Sequence, residues 1–364
     1  MTGPAPDAPG TPPDEGIAGA PDEPDAPADD GTPADDGTAA DDGTAAAAGR
    51  PSVFTLDGRA APGLYAAGWF LTIVGLGLVF IALAATVGGV ATFALAVGGL
   101  LCLSAGIIAA AGAQGLQRKA EGVPGYAGPS PFLVLAAVLA VSLLISALIS
   151  ASGLAPDSSL ALVLSVTITG LAYIGLIGLL VVGTGALTWA EMGIRRPAAG
   201  AFVGDLVSGI ALGMVALVVT GLVAGVLVRV LGVEPVGPVP IPSTSFDRVL
   251  NLLAAGIIAP VTEEVFFRGF TTTAWLRRLG PSRAIVRGAL FFAIVHVLTI
   301  GGADASEAIR IAVIAFVARI PVALMLEWIF VRRDSLWASI ALHATFNGVA
   351  LFLADIAGRT VTGG

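Results

Sequence analysis

The stretch APVTEEVFFRGF, Ala259 to Phe270, sets Glu263, Glu264 and Arg268 among residues that otherwise suit a core or lipid-facing helix. Downstream, FFAIVH carries His296, and LHATFN carries His343 with Asn347 four positions later; the chain has two histidines in all. An ionisable group inside an apolar span is costly unless it is paired or faces the bundle interior or a water-filled cavity. Glu264 and Arg268 stand one helical turn apart on one face, so carboxylate and guanidinium can pair there. Adjacent helical positions point about 100° apart, which leaves Glu263 to face another helix. His343 and Asn347 share a face in the same way.

A carboxylate and an imidazole on one water form a general base. A neutral imidazole beside a carboxamide can donate hydrogen bonds to an oxyanion as a carbonyl becomes tetrahedral. Glu263, His296 and His343 also make a two-histidine, one-carboxylate donor set for a divalent metal such as zinc, which would polarise the carbonyl and acidify the water. Spacing leaves a metal-free site and a metal site both open.

Helices must bring these groups together, and the composition says what kind. Of 364 residues 56% are apolar and 12% charged, which points to a polytopic membrane protein. Candidate spans run over 66–87, 90–113, 131–151, 160–186, 203–229, 248–275, 284–301, 308–331 and 335–357, nine in all, with Gly88 and Gly89 the weakest division. The fold class expected is all-α, a transmembrane bundle of eight or nine spans behind a disordered acidic tail.

The net charge of −8 is the sum of two unlike parts. Residues 1–49 hold twelve Asp or Glu and no Lys or Arg, and ADDGT recurs at Ala28, Ala34 and Ala40. So low-complexity a segment has too little apolar area to offset ordering, and 1–59 is expected to be disordered. Subtracting those twelve from 26 acids leaves fourteen against eighteen bases, a mildly basic remainder. It divides into N-terminal transmembrane helices over 60–200 and helices carrying the candidate chemistry over 201–364. The lone Cys102 excludes an intrachain disulfide and a cysteine-rich metal site.

An inward N-terminus puts twelve Lys or Arg on the inner side and four outside, with Arg268 and Arg319 inside spans. By the positive-inside rule the N-terminus is then cytoplasmic and the C-terminus outside, in a multi-pass plasma-membrane protein. The proline-rich connection from Gly232 to Arg248 is the longest on the outer side. At 1.5 Å per residue, Glu263 and His296 each lie about 18 Å from the inner ends of their spans and His343 about 12 Å. Three helices can thus present polar groups in one layer. Pro260 is placed to kink the sixth span or free a carbonyl there. Arg319 and Glu327, two turns apart in the eighth, are placed to pair with residues on neighbouring helices or to snorkel.

The order EEVFFRG, FFAIVH, HATFN, the last within RRDSLWASIALHATFN, resembles the glutamate-dependent intramembrane endopeptidases of the CAAX prenyl protease and bacteriocin-processing family, also called CPBP or Abi. The similarity covers about residues 249–350. It implies a bundle of about eight helices with a cavity opening toward the cytoplasm. It further implies that Glu263 and His296 activate water, that Glu264 and Arg268 orient the site, and that His343 and Asn347 meet the oxyanion. Whether the family uses a metal is unsettled, and the resemblance favours a metal-free mechanism. The implied partners are membrane lipids and a peptide or membrane-protein substrate, possibly lipid-modified, with no nucleic acid. The acidic tail has no counterpart in the shared region. Intramembrane Glu, His and Arg equally suit a non-hydrolytic module such as a proton-coupled transporter or an immunity or scaffold protein.

Overall fold

The computed structural model describes residues 53–85, 88–233, 239–298 and 300–362, with the backbone alone for 358–362. The acidic repeats, Arg50, positions 234–238 of the proline-rich connection and the Arg359 side chain lie outside the described residues. Within them the chain is helical: α1 Pro62–Ala84, α2 Val90–Ala120, α3 Pro131–Ala151, α4 Ser159–Val182, α5 Ala199–Leu231, α6 Ser245–Leu279, α7 Pro281–Val295, α8 Ala305–Arg333 and α9 Leu336–Thr362. Eight of these, all but α7, are long and apolar enough to cross a membrane. Large apolar side chains such as Phe80, Leu83, Leu222, Val230 and Trp328 point outward, as lipid contact requires.

Eight long helices among the described residues fall within the eight or nine spans expected, and the division expected to be weakest is intact. Gly89 at φ 115° turns the chain between α1 and α2. The seventh candidate, 284–301, is helical only in part: α7 has 15 residues, about 22 Å at 1.5 Å per residue, against a hydrocarbon core of about 30 Å. It stops at His296, whose own Nδ1 takes the Phe292 carbonyl at 2.8 Å. A side chain that satisfies the carbonyl due to its own backbone N–H ends the helical ladder there.

Small residues set how closely the long helices approach. Gly68, Gly75 and Ala82 on α1, and Gly99 and Gly106 on α2, repeat every seven residues and are buried. A Cβ at Gly99 would lie 2.8 Å from the Val79 backbone nitrogen, so the two backbones nearly touch. Helix α2 packs on α3, α3 on α4, and α4 on α6; α5 holds α8 and α9, and α7 lies between α6 and α8. Gly209 and Gly213 on α5 admit α9, a Cβ at Gly213 falling 2.8 Å from the Leu342 carbonyl oxygen. His343 is the next residue along that contact.

One end of the bundle is tied by polar links. Arg277 binds Glu191 at 2.7 Å, Arg333 binds Asp205 at 2.7 Å, Ser335 donates to Asp205 at 2.6 Å, and Arg195 pairs with Asp334. The Arg277 bond, then those from Thr188, hold the Glu191 carboxyl at about 2, well below the usual range. Depressed in this way, the link is present above the ordinary carboxylate pKa and lost only as pH falls toward 2. Most bases expected on the inner side gather at this end.

Substituting Gly213 by Leu is expected to force α9 away from α5 at a cost of about 1–3 kcal/mol. A fall of several degrees in the thermal midpoint of the purified protein in detergent checks this; an unchanged midpoint would show that the seam tolerates bulk.

Candidate active site

Five of the six residues singled out by type and spacing meet side chain to side chain, and the sixth, Asn347, bonds instead to the α6 backbone at Ala255. Glu264 and Arg268 both have no solvent exposure, and Arg268 Nη1 donates to Glu264 Oε1 at 2.8 Å. The same oxygen accepts from His343 Nδ1 at 2.7 Å, so the α6 motif reaches α9 directly. Glu263 turns the other way. Its Oε2 stands 3.5 Å from His296 Nε2 and 4.0 Å from His343 Nε2, with no hydrogen-bond partner among protein groups.

The imidazole tautomers follow from these partners. Phe292 O can only accept, so His296 Nδ1 carries hydrogen; Glu264, salt-bridged to Arg268, likewise accepts from His343 Nδ1. When neutral, both rings therefore present a bare Nε2 toward Glu263. Three acceptors face one another with no proton between them, an arrangement that calls for a guest bearing hydrogens. The residues that would bind a metal if one is used are thus brought together, with one of the two donor spacings close to that of a zinc site and the other wider. Tetrahedral zinc with ligands at about 2.0–2.1 Å sets donor pairs about 3.4 Å apart, and the His343 pair is wider at 4.0 Å. Among the described residues no group of three or more His, Cys, Asp or Glu is set to hold a metal ion.

The helix carrying the two glutamates is widened into π turns on both sides of them, at Ala254–Ile258 and Val265–Thr272. Pro260 has no N–H, so Ala255 O, its partner in the i→i−5 pattern, is left unclaimed. Asn347 Nδ2 donates to that carbonyl at 2.8 Å, which ties α9 to α6 a second time. Proline in the motif and asparagine on the last helix are two halves of one contact.

Phe292 closes the group from α7. Its ring centre lies 4.3 Å from the Arg268 guanidinium, 4.2 Å from the His296 ring and 5.8 Å from the His343 ring. Phe266, Phe267, Phe270 and Phe291 are buried packing residues, as their abundance in the motif suggested.

Glu327, expected from the sequence to pair with a neighbouring helix or to snorkel, pairs with α6. It is fully buried, accepts from Thr272 Oγ1 at 2.6 Å, and approaches Arg268 Nε to 3.4 Å, an ion-pair approach longer than a hydrogen bond. Gly288 on α7 makes room for it, since a Cβ there would overlap its carboxylate. The signal available was an acid at the interior of a span. Its partner, 59 positions away, carried none.

A family model described as type II CAAX prenyl endopeptidase Rce1-like matches residues 245–349. This segment runs from the start of α6 through Asn347, and the match supports placing it in the broader CAAX, Abi and CPBP superfamily; it does not extend to α1–α5. No curated protein and no solved structure matches the chain. The family match and the buried Glu–His contacts are together consistent with glutamate- and histidine-dependent hydrolysis inside a membrane-spanning bundle.

Replacing Glu327 by Leu leaves Arg268 with one carboxylate fewer in a site without solvent. Breaking such a buried pair costs about 3–5 kcal/mol. Differential unfolding in detergent should show this as a clear loss of thermal midpoint, larger than that of Glu191→Gln at the exposed link.

Proposed function

We propose that the chain is an intramembrane endopeptidase that hydrolyses a peptide bond with Glu263 and His296 as the water-activating pair. The observation that carries this reading is the meeting of three bare acceptors, Glu263 Oε2, His296 Nε2 and His343 Nε2, at one point between α6, α7 and α9. Water is the small guest that donates two hydrogens to such a set while offering a lone pair to a carbonyl carbon.

As the water oxygen bonds to the scissile carbonyl carbon, one of its protons passes to the Glu263–His296 pair. The carbonyl π electrons move to oxygen, and the oxyanion is met by the second N–H of Asn347; His343, whose Nδ1–H is given to Glu264, joins it only after its bare Nε2 has taken the other proton of the attacking water. Glu264 against His343 Nδ1 fixes the orientation of that ring, as the aspartate does in a serine-protease triad. Arg268 and Glu327 hold Glu264 in turn. Collapse breaks the C–N bond, and the amine leaves with the proton stored on the Glu263–His296 pair. No step requires a metal. The basic end of the bundle is assigned to the cytoplasm, with cleavage at or near that side, on a peptide or membrane-protein substrate, lipid-modified or not.

The Glu263→Gln variant is expected to lose turnover by a factor on the order of 10²–10⁴ while keeping the thermal midpoint of the native protein. The check is a comparison of new peptide termini in membranes of cells carrying the native chain and cells carrying Glu263→Gln. Termini present only with the native chain identify the substrate; identical sets in both would leave a transport or scaffold role, for which proton flux into proteoliposomes is the next measurement.

A further inference from the structure

Arg319 sits at the midpoint of α8, fourteen residues from each end, where a cation is most expensive in a bilayer. It is half-buried, and among the described residues its one hydrogen-bond partner is Ala315 O in its own helix at 2.9 Å; it forms no ion pair. The mechanism above does not use it.

Its direction is settled by its neighbours. Ala315, Val322, Ala323 and Leu326 are buried and lie within about 60° of Arg319 around the helix at 100° per residue. Val317, Leu324 and Trp328 are exposed to the surroundings and lie about 140–180° away. Arg319 therefore stands on the face of α8 turned to the interior of the bundle, not to lipid. Glu263 is the carboxylate within its electrostatic reach, yet no Glu263 oxygen approaches within ion-pair distance, and Glu263 Oε2 is committed to the point between the histidines. Glu327, two turns along α8, is taken by Arg268 and Thr272.

We infer that Arg319 is the anion-recognition residue of the substrate site, where its guanidinium receives a carboxylate of the bound peptide, either the C-terminal one or an acidic side chain near the scissile bond. This rests on the endopeptidase reading. Guanidinium presents paired donors in a planar fork that matches a carboxylate. A lipid phosphate has the right charge but the wrong depth, because headgroups lie about 15 Å from the bilayer centre, half the hydrocarbon thickness. A peptide threaded between α6, α7 and α9 brings its carboxylate to that depth and repays the desolvation of both charges by pairing them.

The test begins from a cut site present with the native chain and lost with Glu263→Gln. A peptide spanning that site is made in three forms: unaltered, with a C-terminal amide, and with its acidic side chains changed to Gln or Asn. Cleavage is measured with protein in nanodiscs. The native chain is expected to prefer the unaltered peptide over one neutral form by about tenfold or more, chiefly through KM. Loss on amidation identifies the C-terminal carboxylate, and loss on Gln or Asn replacement identifies a side chain. In Arg319→Gln that ratio should fall to within about twofold of unity. In Arg319→Lys, which keeps the charge without the fork, it should fall part of the way, and this variant carries the test if the first does not fold. Equal cleavage of all three forms by the native chain would overturn the inference, as would an Arg319→Gln variant that lowers kcat alike for every form, the behaviour of a residue that merely supports Glu263. If Glu263→Gln removes no cut site, the endopeptidase reading itself fails and this inference falls with it.

Discussion

A guanidinium sealed from solvent, Arg268, holds the interior of this bundle together. It pairs with Glu264 one turn before it on α6 and with Glu327 on α8, and through Glu264 it reaches His343 on α9. Taken singly, each of these groups would be prohibitively costly in a low-dielectric interior. Taken together they offset one another's charge, although Glu264 Oε2, Glu327 Oε1 and two Arg268 nitrogens form no hydrogen bond among the described residues, and Phe292 lays a ring against two of them, Arg268 and His343. The apparent excess of polarity in an apolar chain is thus what orients the one carboxylate, Glu263, that is kept out of the set.

Backbone irregularity does comparable work. The two π turns in α6 bracket Glu263 and Glu264, and each widens the helix where a regular one would have presented the pair at fixed spacing. A carbonyl freed by Pro260 becomes the anchor of Asn347. In a bilayer such irregularity survives only where protein supplies the missing partner, and here the partner is a member of the site. The short α7 obeys the same logic: it ends where His296 turns back on its own last turn.

The transmembrane class and the ionisable cluster between α6, α7 and α9 were legible because both depend on local signals, namely long apolar runs and ionisable residues within them. Glu264–Arg268 needed only spacing. What was not legible depended on non-local partners or on one side chain acting on the backbone. An apolar window over 284–301 cannot register that the His296 ring takes the Phe292 carbonyl, so a ninth span was counted where a half-length helix stands. Glu327 was visible as an anomaly, but Arg268 and Thr272 are far from it in sequence. The π turns have no compositional mark beyond Pro260.

The glycine seam between α1 and α2 joins helices that follow one another directly, so that hairpin can close soon after its second half leaves the ribosome. The bond between Glu264 and His343 closes a separation of 79 residues. Everything before α9 can therefore be in place while the cluster around Arg268 is still missing the imidazole of His343 and the amide of Asn347. On the proposed reading α9 is the arming pin, since a chain that has not yet docked it holds both glutamates without the imidazole and the amide that α9 brings.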